Sequence, residues 1–201
     1  MKKFLQLASL LAAMALASAA APQQPAPAAP KLATAIFAGG CFWCVEADFE
    51  KLHGVVKVES GYTGGTLDNP TYEQVSAGGT GHAEAARVFY DPSQITYPQL
   101  LDYFWHHVDP TVKDRQFCDV GHQYRTAIFY QTEAERAAAM ASKAALERRF
   151  AHVYTEIVPA GKFYLAEEYH QDYYKKNPVR YNYYRFACGR DARVKEVWGG
   201  K

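Results

Sequence analysis

The chain has 201 residues, enough for one domain with a full hydrophobic core. Apolar residues make up 49% and charged residues 21%, with a formal charge of +1, as in ordinary soluble globular proteins. No basic stripe runs along it, which sets nucleic acid aside as a partner.

Residues 1–19 read as an export signal. Lys2 and Lys3 open it, an apolar stretch from Phe4 to Leu16 follows, and Ala17-Ser18-Ala19 forms a small-x-small cleavage site. That stretch is too short to span a bilayer. "AAPQQPAPAAP" (20–30) is a Pro/Ala-rich extended linker. The catalytic unit is then expected over 31–201, in a periplasmic or secreted protein without stable membrane association. Cleavage leaves 20 Lys and Arg against 21 Asp and Glu, a charge of −1.

"KLATAIFA" (31–38) predicts a strand, and a short helix follows from Cys41 to about Leu52, stopped by Gly54. "VVKVESGY" (55–62) is a second strand, and 63–81 reads as a Gly- and Asn/Pro-rich loop. "AEAARVFYD" (83–91) alternates as a strand before the Asp91-Pro92 turn. Thr96 caps a helix with the stripe Leu100, Leu101, Phe104, Trp105 and Val108, ended by Asp109-Pro110. "HQYRTAIFYQ" (122–131) predicts a strand, and "TEAE" (132–135) is a capping box for an Ala-rich helix to about Arg149. "VYTEIVPA" (153–160) predicts a strand, 165–175 a helix, and the aromatic tail after Pro178 is irregular. The interleaving gives an α+β fold. It is expected to be a two-layer α/β sandwich with a mixed sheet, a ferredoxin-like split βαβ core and an irregular C-terminal tail.

The chemistry concentrates in "GGCFWCVEADFE" (39–50). Gly39 and Gly40 permit a tight turn that puts Cys41 at a helix start, where unpaired N–H groups and the helix dipole favour an anion. A Cys41 pKa below the free value of about 8.5 is therefore expected. Phe42 and Trp43, exposed beside it, would form an apolar cup. Cys44 lies within disulfide reach. By itself Cys41-x-x-Cys44 also fits half a zinc site, a structural disulfide or a thioredoxin-like dithiol. Four cysteines do not make a disulfide-dense scaffold, so redox chemistry competes with stapling.

"GCFWCVEADFEKLHGVVKVESGYTGG" (40–65) resembles the signature of the type A peptide methionine sulfoxide reductases. The resemblance continues through "NPTYEQV" (69–75), "GHAEAARVFYDP" (81–92), "FWHHVDPT" (104–111), "DVGHQYRTAIFY" (119–130) and "AEEYHQDYY" (166–174). It implies thiol-dependent reduction of methionine S-sulfoxide, free or in proteins, to methionine. It also implies a role for each matching residue. Cys41 would be the nucleophile and Glu84 a neutral acid kept protonated by burial. Tyr72 and Tyr124 would bind the sulfoxide oxygen, Asp119 would support the site, and Phe42 and Trp43 would hold the S-methyl group. Attack leaves a sulfenic acid on Cys41, which a second thiol must resolve. Cys44 is favoured as first resolver, with Cys188 relaying the disulfide outward or resolving directly. Cys118 either lies near the site or packs as a small apolar residue. The family uses thioredoxin-like reductants, and no cofactor or metal is implied. A monomer is expected. His82 and His122 read as hydrogen-bonded structural histidines.

Overall fold

The computed structural model describes residues 31–199. The export signal and linker expected over 1–30 lie outside the described residues.

The elements in chain order begin with β1 (Ala33–Gly39), α1 (Phe42–Phe49), β2 (Val55–Thr63), α2 (Tyr72–Ala77), β3 (Ala83–Tyr90) and α3 (Tyr97–Trp105). A small hairpin follows, β4 (Arg115–Gln116) and β5 (Asp119–Val120), then a 3-10 turn (His122–Tyr124) into β6 (Thr126–Tyr130). The chain continues through α4 (Glu133–Leu146), β7 (Glu156–Pro159), β8 (Tyr164–Leu165), α5 (Tyr173–Lys176), α6 (Pro178–Ala187) and α7 (Arg190–Trp198).

Six strands form one sheet in the order β7-β6-β1-β3-β2-β8. β3 lies antiparallel between β1 and β2, so β1-α1-β2 is a split βαβ unit. β6 joins the free side of β1 antiparallel and completes the ferredoxin-like order β6-β1-β3-β2. β7 pairs parallel to β6 after the α4 crossover, which makes the sheet mixed.

The periodicities explain the layers. On one face Phe37 stacks on Phe49 of α1 and Phe104 of α3, each with centroids 5.1 Å apart. Leu100, Leu101, Val45, Ile128 and Ala139 of α4 complete that core. The opposite face is thinner: Ile36, Ala38, Ala83, Ala85, Ala127 and Phe129 pack under connecting segments. Thr132 caps α4 by accepting from the Glu135 N–H at 3.1 Å, while the Glu135 carboxylate accepts from Gln131 N–H at 2.6 Å, so only the Thr132 half of the expected capping box forms.

Four local expectations are corrected. Within 63–81, Thr71 and Gln74 form a reciprocal capping box that starts α2; the T-x-x-Q signal was present beneath the Gly/Pro-rich composition. The strand expected from His122 starts at Thr126, because Gly121 at φ 143° leads into the 3-10 turn instead. The helix expected over 165–175 is only α5. Upstream of it, Ala166 N–H donates to Ser60 O at 3.0 Å, and the Gln171 side chain bonds both backbone groups of Ser60 at 3.0 and 2.9 Å. Asp172 at φ 54° then turns the chain. Pairing with β2 thus outcompetes helix propensity there. The tail expected to be irregular forms α6 and α7. Pro178 sits at the α6 start, Gly189 separates the two helices and Gly199 ends the second. Trp198 anchors this arm by donating Nε1–H to Val108 O at 2.9 Å, beside Phe150.

The stacked Phe37-Phe104 pair is fully enclosed. Phe104→Ala is expected to lower unfolding free energy by about 3–5 kcal/mol. Denaturant titration measures this, and a loss below about 1 kcal/mol would show that α3 is not integral to the core.

Candidate active site

β1 ends in Gly39 and Gly40, and the backbone turns at Gly40 with φ +85°. A Cβ there would meet Gln116 Cβ at 2.6 Å, so only glycine allows the close approach of the β4 segment. Cys41 is the N-cap of α1. Glu84 lies on β3 opposite Tyr62 of β2. The Phe42 N–H, an unpaired donor of the first helical turn, donates to Glu84 Oε2 at 3.0 Å. Cys41 and Glu84 therefore face the same space.

That space is a cavity of about 70 Å³ lined by Cys41, Phe42, Trp43, Tyr72, Glu84, Asp119, Tyr124 and Tyr184. Tyr72 arrives from the first turn of α2, Tyr124 from the 3-10 turn, and Asp119 from β5. Seven of these eight residues were named from sequence. Phe42 differs from expectation in being fully buried, wedged between Tyr62 and His170, with one edge toward the cavity. Trp43 stacks on Tyr173 at 3.7 Å, and its Nε1–H donates to His170 Nδ1 at 2.9 Å.

Burial dominates the electrostatics. It pushes Glu84 up to about 8, helped by Asp119 and Cys44 and opposed by the Phe42 hydrogen bond. The carboxyl is thus mostly protonated at neutral pH. Asp119 is raised by burial too, against the Tyr184 hydrogen bond and Arg190. Tyr72 is pushed up to about 12 by burial and by Glu84, and Tyr124 rises for the same reasons, so both stay phenols that can donate.

Cys41 departs from expectation. Only 7% of it is exposed. Burial raises its pKa, and hydrogen bonding with Cys44 and the neighbouring Glu84 raise it further. The helix terminus contributes at most about 2 kcal/mol to a thiolate, less than removing that anion from water costs here. The pair's acidic member is Cys44, lowered to about 7 first by its hydrogen bond with Cys41 and then by Arg190 and Arg185, against burial. Both guanidiniums are held by buried Asp48, Arg185 at 3.0 Å and Arg190 at 3.6 Å.

Cys44 points away from the cavity. It packs with Ala47, Tyr173 and Tyr181, under α6. Cys188 is not beside Cys41: it forms a disulfide with Cys118, with Cα atoms 4.9 Å apart, while Cys41 and Cys44 are free. His82 is structural, as expected: its ring bonds Gly65 N–H and Leu67 O. His122 pairs with Asp114 away from the cavity lining.

Sequence reasoning missed Tyr184, His170 and Glu167. Tyr184 donates its hydroxyl to Asp119 Oδ2 at 2.5 Å and closes one wall of the cavity. Glu167 accepts from Tyr72 N–H at 2.8 Å and Tyr62 O–H at 2.9 Å, which fixes the α2 start. The aromatic density of 166–186 was the available signal. Metal-capable side chains converge at Glu46, Glu50 and Asp172 and at Cys118, Asp119 and Cys188. In the first set Glu46 accepts from Ser60 and Asp172 N–H, and Glu50 pairs with Lys175. In the second the sulfurs are bonded to each other. Both donor sets are already engaged.

A thiol, a protonated carboxyl and two phenols around a small apolar-walled cavity, with a second thiol three residues on behind the first, define a thiol-based oxidoreductase site. Residues 33–201 match the family model described as peptide methionine sulfoxide reductase. The chain is 54% identical over 178 residues to peptide methionine sulfoxide reductase MsrA 2 of Caulobacter vibrioides, covering 88% of this chain and 90% of that one. Its fold superposes on reduced Mxr1 of Saccharomyces cerevisiae with a TM-score of 0.71 at 34% identity, over 74% of this chain and 87% of that one. Mxr1 solved in complex with Trx2 is also similar, with a TM-score of 0.52 at 26% identity, over 76% and 90% of the two chains. The chain belongs to the peptide methionine sulfoxide reductase family, as a type A, thiol-dependent enzyme.

The Glu84 carboxyl yields a signed stability prediction. Its folded pKa of about 8 exceeds the ordinary 4.5, so the native state binds the extra proton. Stability is therefore full below about 4.5 and falls as pH rises toward about 8. Glu84→Gln, which cannot ionise, is expected to gain on the wild type across that window. Thermal melts at about pH 5 and about pH 8 test it, and a constant difference between the two proteins would place Glu84 in water.

Proposed function

We propose that Cys41 is the nucleophile that reduces methionine S-sulfoxide, free or in oxidised proteins, and that Glu84 is its acid. The observation that carries this reading is the shared cavity: the thiol and a carboxyl protonated at neutral pH line one small space with two phenols. Phe42 and Trp43 supply the wall for the S-methyl group. Tyr72 and Tyr124 donate to the sulfoxide oxygen, and Glu84 supplies the proton that makes it a leaving group. Glu84 Oε2 is engaged by Phe42 N–H, which leaves Oε1 to carry that proton. Asp119 orients Tyr184 and lies on the rim.

The resting Cys41 is a thiol, and its proton has an acceptor in Cys44, the more acidic sulfur of the pair. As the thiolate attacks, a bond forms between it and the substrate sulfur. The protonated oxygen then passes to the Cys41 sulfur as the substrate S–O bond and the new S–S bond break, which leaves Cys41 as a sulfenic acid and releases methionine. Cys44 then condenses with the sulfenic sulfur, releasing water and forming Cys41–Cys44. A thioredoxin-like dithiol restores the thiols, by analogy with the Mxr1 complex with Trx2. Residues 1–19, with Lys2 and Lys3 ahead of an apolar stretch and Ala17-Ser18-Ala19, support the reading that this repair takes place outside the cytoplasm. No described helix is long and apolar enough to cross a membrane.

Cys41→Ser is expected to abolish methionine formation with dithiothreitol as reductant; turnover near the wild-type rate would move the nucleophile elsewhere. Tyr72→Phe and Tyr124→Phe are each expected to reduce kcat by about 10²-fold. For the wild type, kcat/KM is expected to fall as pH rises through about 8, because Glu84 loses its proton there. Glu84→Gln is expected to be about 10²–10⁴-fold slower and to lack that limb; retention of the same limb would assign it to another group. Expressed with its full leader, the secreted or periplasmic protein is expected to begin at Ala20. N-terminal sequencing reads this, and an intact Met1 would refute the signal.

A further inference from the structure

Eight side chains line the cavity, and the reaction has a use for seven of them; the eighth is Tyr184. It comes from α6, in the C-terminal arm rather than the sheet. Its ring meets Trp43 edge-on, with centroids 5.9 Å apart, and its hydroxyl donates to Asp119 Oδ2 at 2.5 Å. The same hydroxyl is within hydrogen-bonding reach of the Cys41 sulfur, where it lowers the Cys41 pKa against burial.

A thiolate at Cys41 needs a donor that the helix start does not supply. In the first turn of α1, Phe42 N–H goes to Glu84 Oε2 at 3.0 Å, and Cys44 and Val45 N–H go to Cys41 O at 3.1 and 3.3 Å. The Cys41 side chain makes no capping bond to that turn. Among the side-chain donors, Tyr72 and Tyr124 serve the sulfoxide oxygen, and Glu84 holds the proton which that oxygen takes. Cys44 receives the Cys41 proton, and a thiol is only a weak donor. Tyr184 remains. It cannot act as a base, because burial and then the neighbouring Cys41 and Asp119 push its pKa far above the ordinary 10. It therefore keeps one proton, with two acceptors in reach. While Cys41 is a thiol, the Asp119 carboxyl is the better acceptor. Once Cys41 is an anion, rotation about the phenol C–O bond turns the proton to the sulfur, where the hydrogen bond is charge-assisted.

We infer that Tyr184 is a further catalytic residue, whose phenol donates to the Cys41 sulfur as the thiolate forms and attacks, with Asp119 as the resting acceptor of the same proton. This role rests on the reading of Cys41 as nucleophile. Tyr184 exchanges one hydrogen-bond acceptor for another and transfers no proton, so the step needs no further reactant. The C-terminal arm then supplies a group to the reacting sulfur, besides covering Cys44.

Tyr184→Phe keeps the ring against Trp43 and removes only the hydroxyl. Iodoacetamide is reacted with protein whose Cys118–Cys188 bond is formed, and peptide mapping follows modification at Cys41 as pH is raised. In Tyr184→Phe, Cys41 is expected to react about tenfold more slowly at about pH 7, with the midpoint of its profile about one pH unit higher. Single-turnover methionine formation from methionine S-sulfoxide is expected to slow by about the same factor, with substrate affinity unchanged. Tyr181→Phe is the comparison, since it removes from the same helix a hydroxyl that bonds Arg185 rather than Cys41. An unchanged Cys41 profile in Tyr184→Phe, or an equal slowing in Tyr181→Phe, would overturn this role and leave Tyr184 as a wall of the cavity. A shifted Cys41 profile with methionine formation at the wild-type rate would instead defeat the reading of Cys41 as nucleophile.

Discussion

One buried hydrogen bond organises this molecule's chemistry: the first free N–H of α1, on Phe42, donates to the Glu84 carboxyl of β3. A helix start has N–H groups to satisfy, and a carboxyl inside the protein has a desolvation cost to offset. Joining the two settles both needs. It also sets the thiol of the preceding residue and a carboxyl group over the same small cavity. Glu84 nevertheless remains protonated near neutrality, because a single N–H does not replace the water that a carboxylate loses on burial.

The same competition decides the cysteines. A helix terminus is a weak source of charge stabilisation beside the desolvation of a nearly enclosed thiol. Cys41 is therefore held as a thiol, and the acidity passes to Cys44. There the hydrogen bond from Cys41 combines with Arg190 and Arg185, themselves neutralised by Asp48. Arg190 does more than supply charge. It bonds Gly39 O at 3.2 Å and His107 O at 3.0 Å, so it ties the end of β1 to the C-terminal arm. The arm that carries Cys188 and Tyr184 is thus clamped to the strand end that carries Cys41.

That clamp gives the C-terminal arm a place in the site. α6 covers Cys44, Tyr184 closes the cavity wall against Asp119, and Trp198 seats the last turn of α7 in the main core. The fold divides the work between its halves. The split βαβ sheet presents the Cys41 thiol and the Glu84 carboxyl to the cavity, and the arm shapes that cavity and holds the outer sulfurs.

Much of this was legible from residue order alone. Period-two and helical patterns gave β1, β3, α3 and α4, and the resemblance carried by blocks from Gly40 to Tyr174 named seven of the eight cavity residues. Local pattern misled at 165–175, where helix propensity lost to hydrogen bonds with Ser60, and in the tail, where aromatic crowding hid two capped helices. Sequence alone thus determined which groups could react, because reactivity belongs to residue types and their immediate neighbours. Tertiary structure alone decided which thiol is acidic, that Tyr184 walls the cavity, and that Cys118 partners Cys188 across 70 residues. Those outcomes depend on burial and long-range contact, which a linear pattern does not carry.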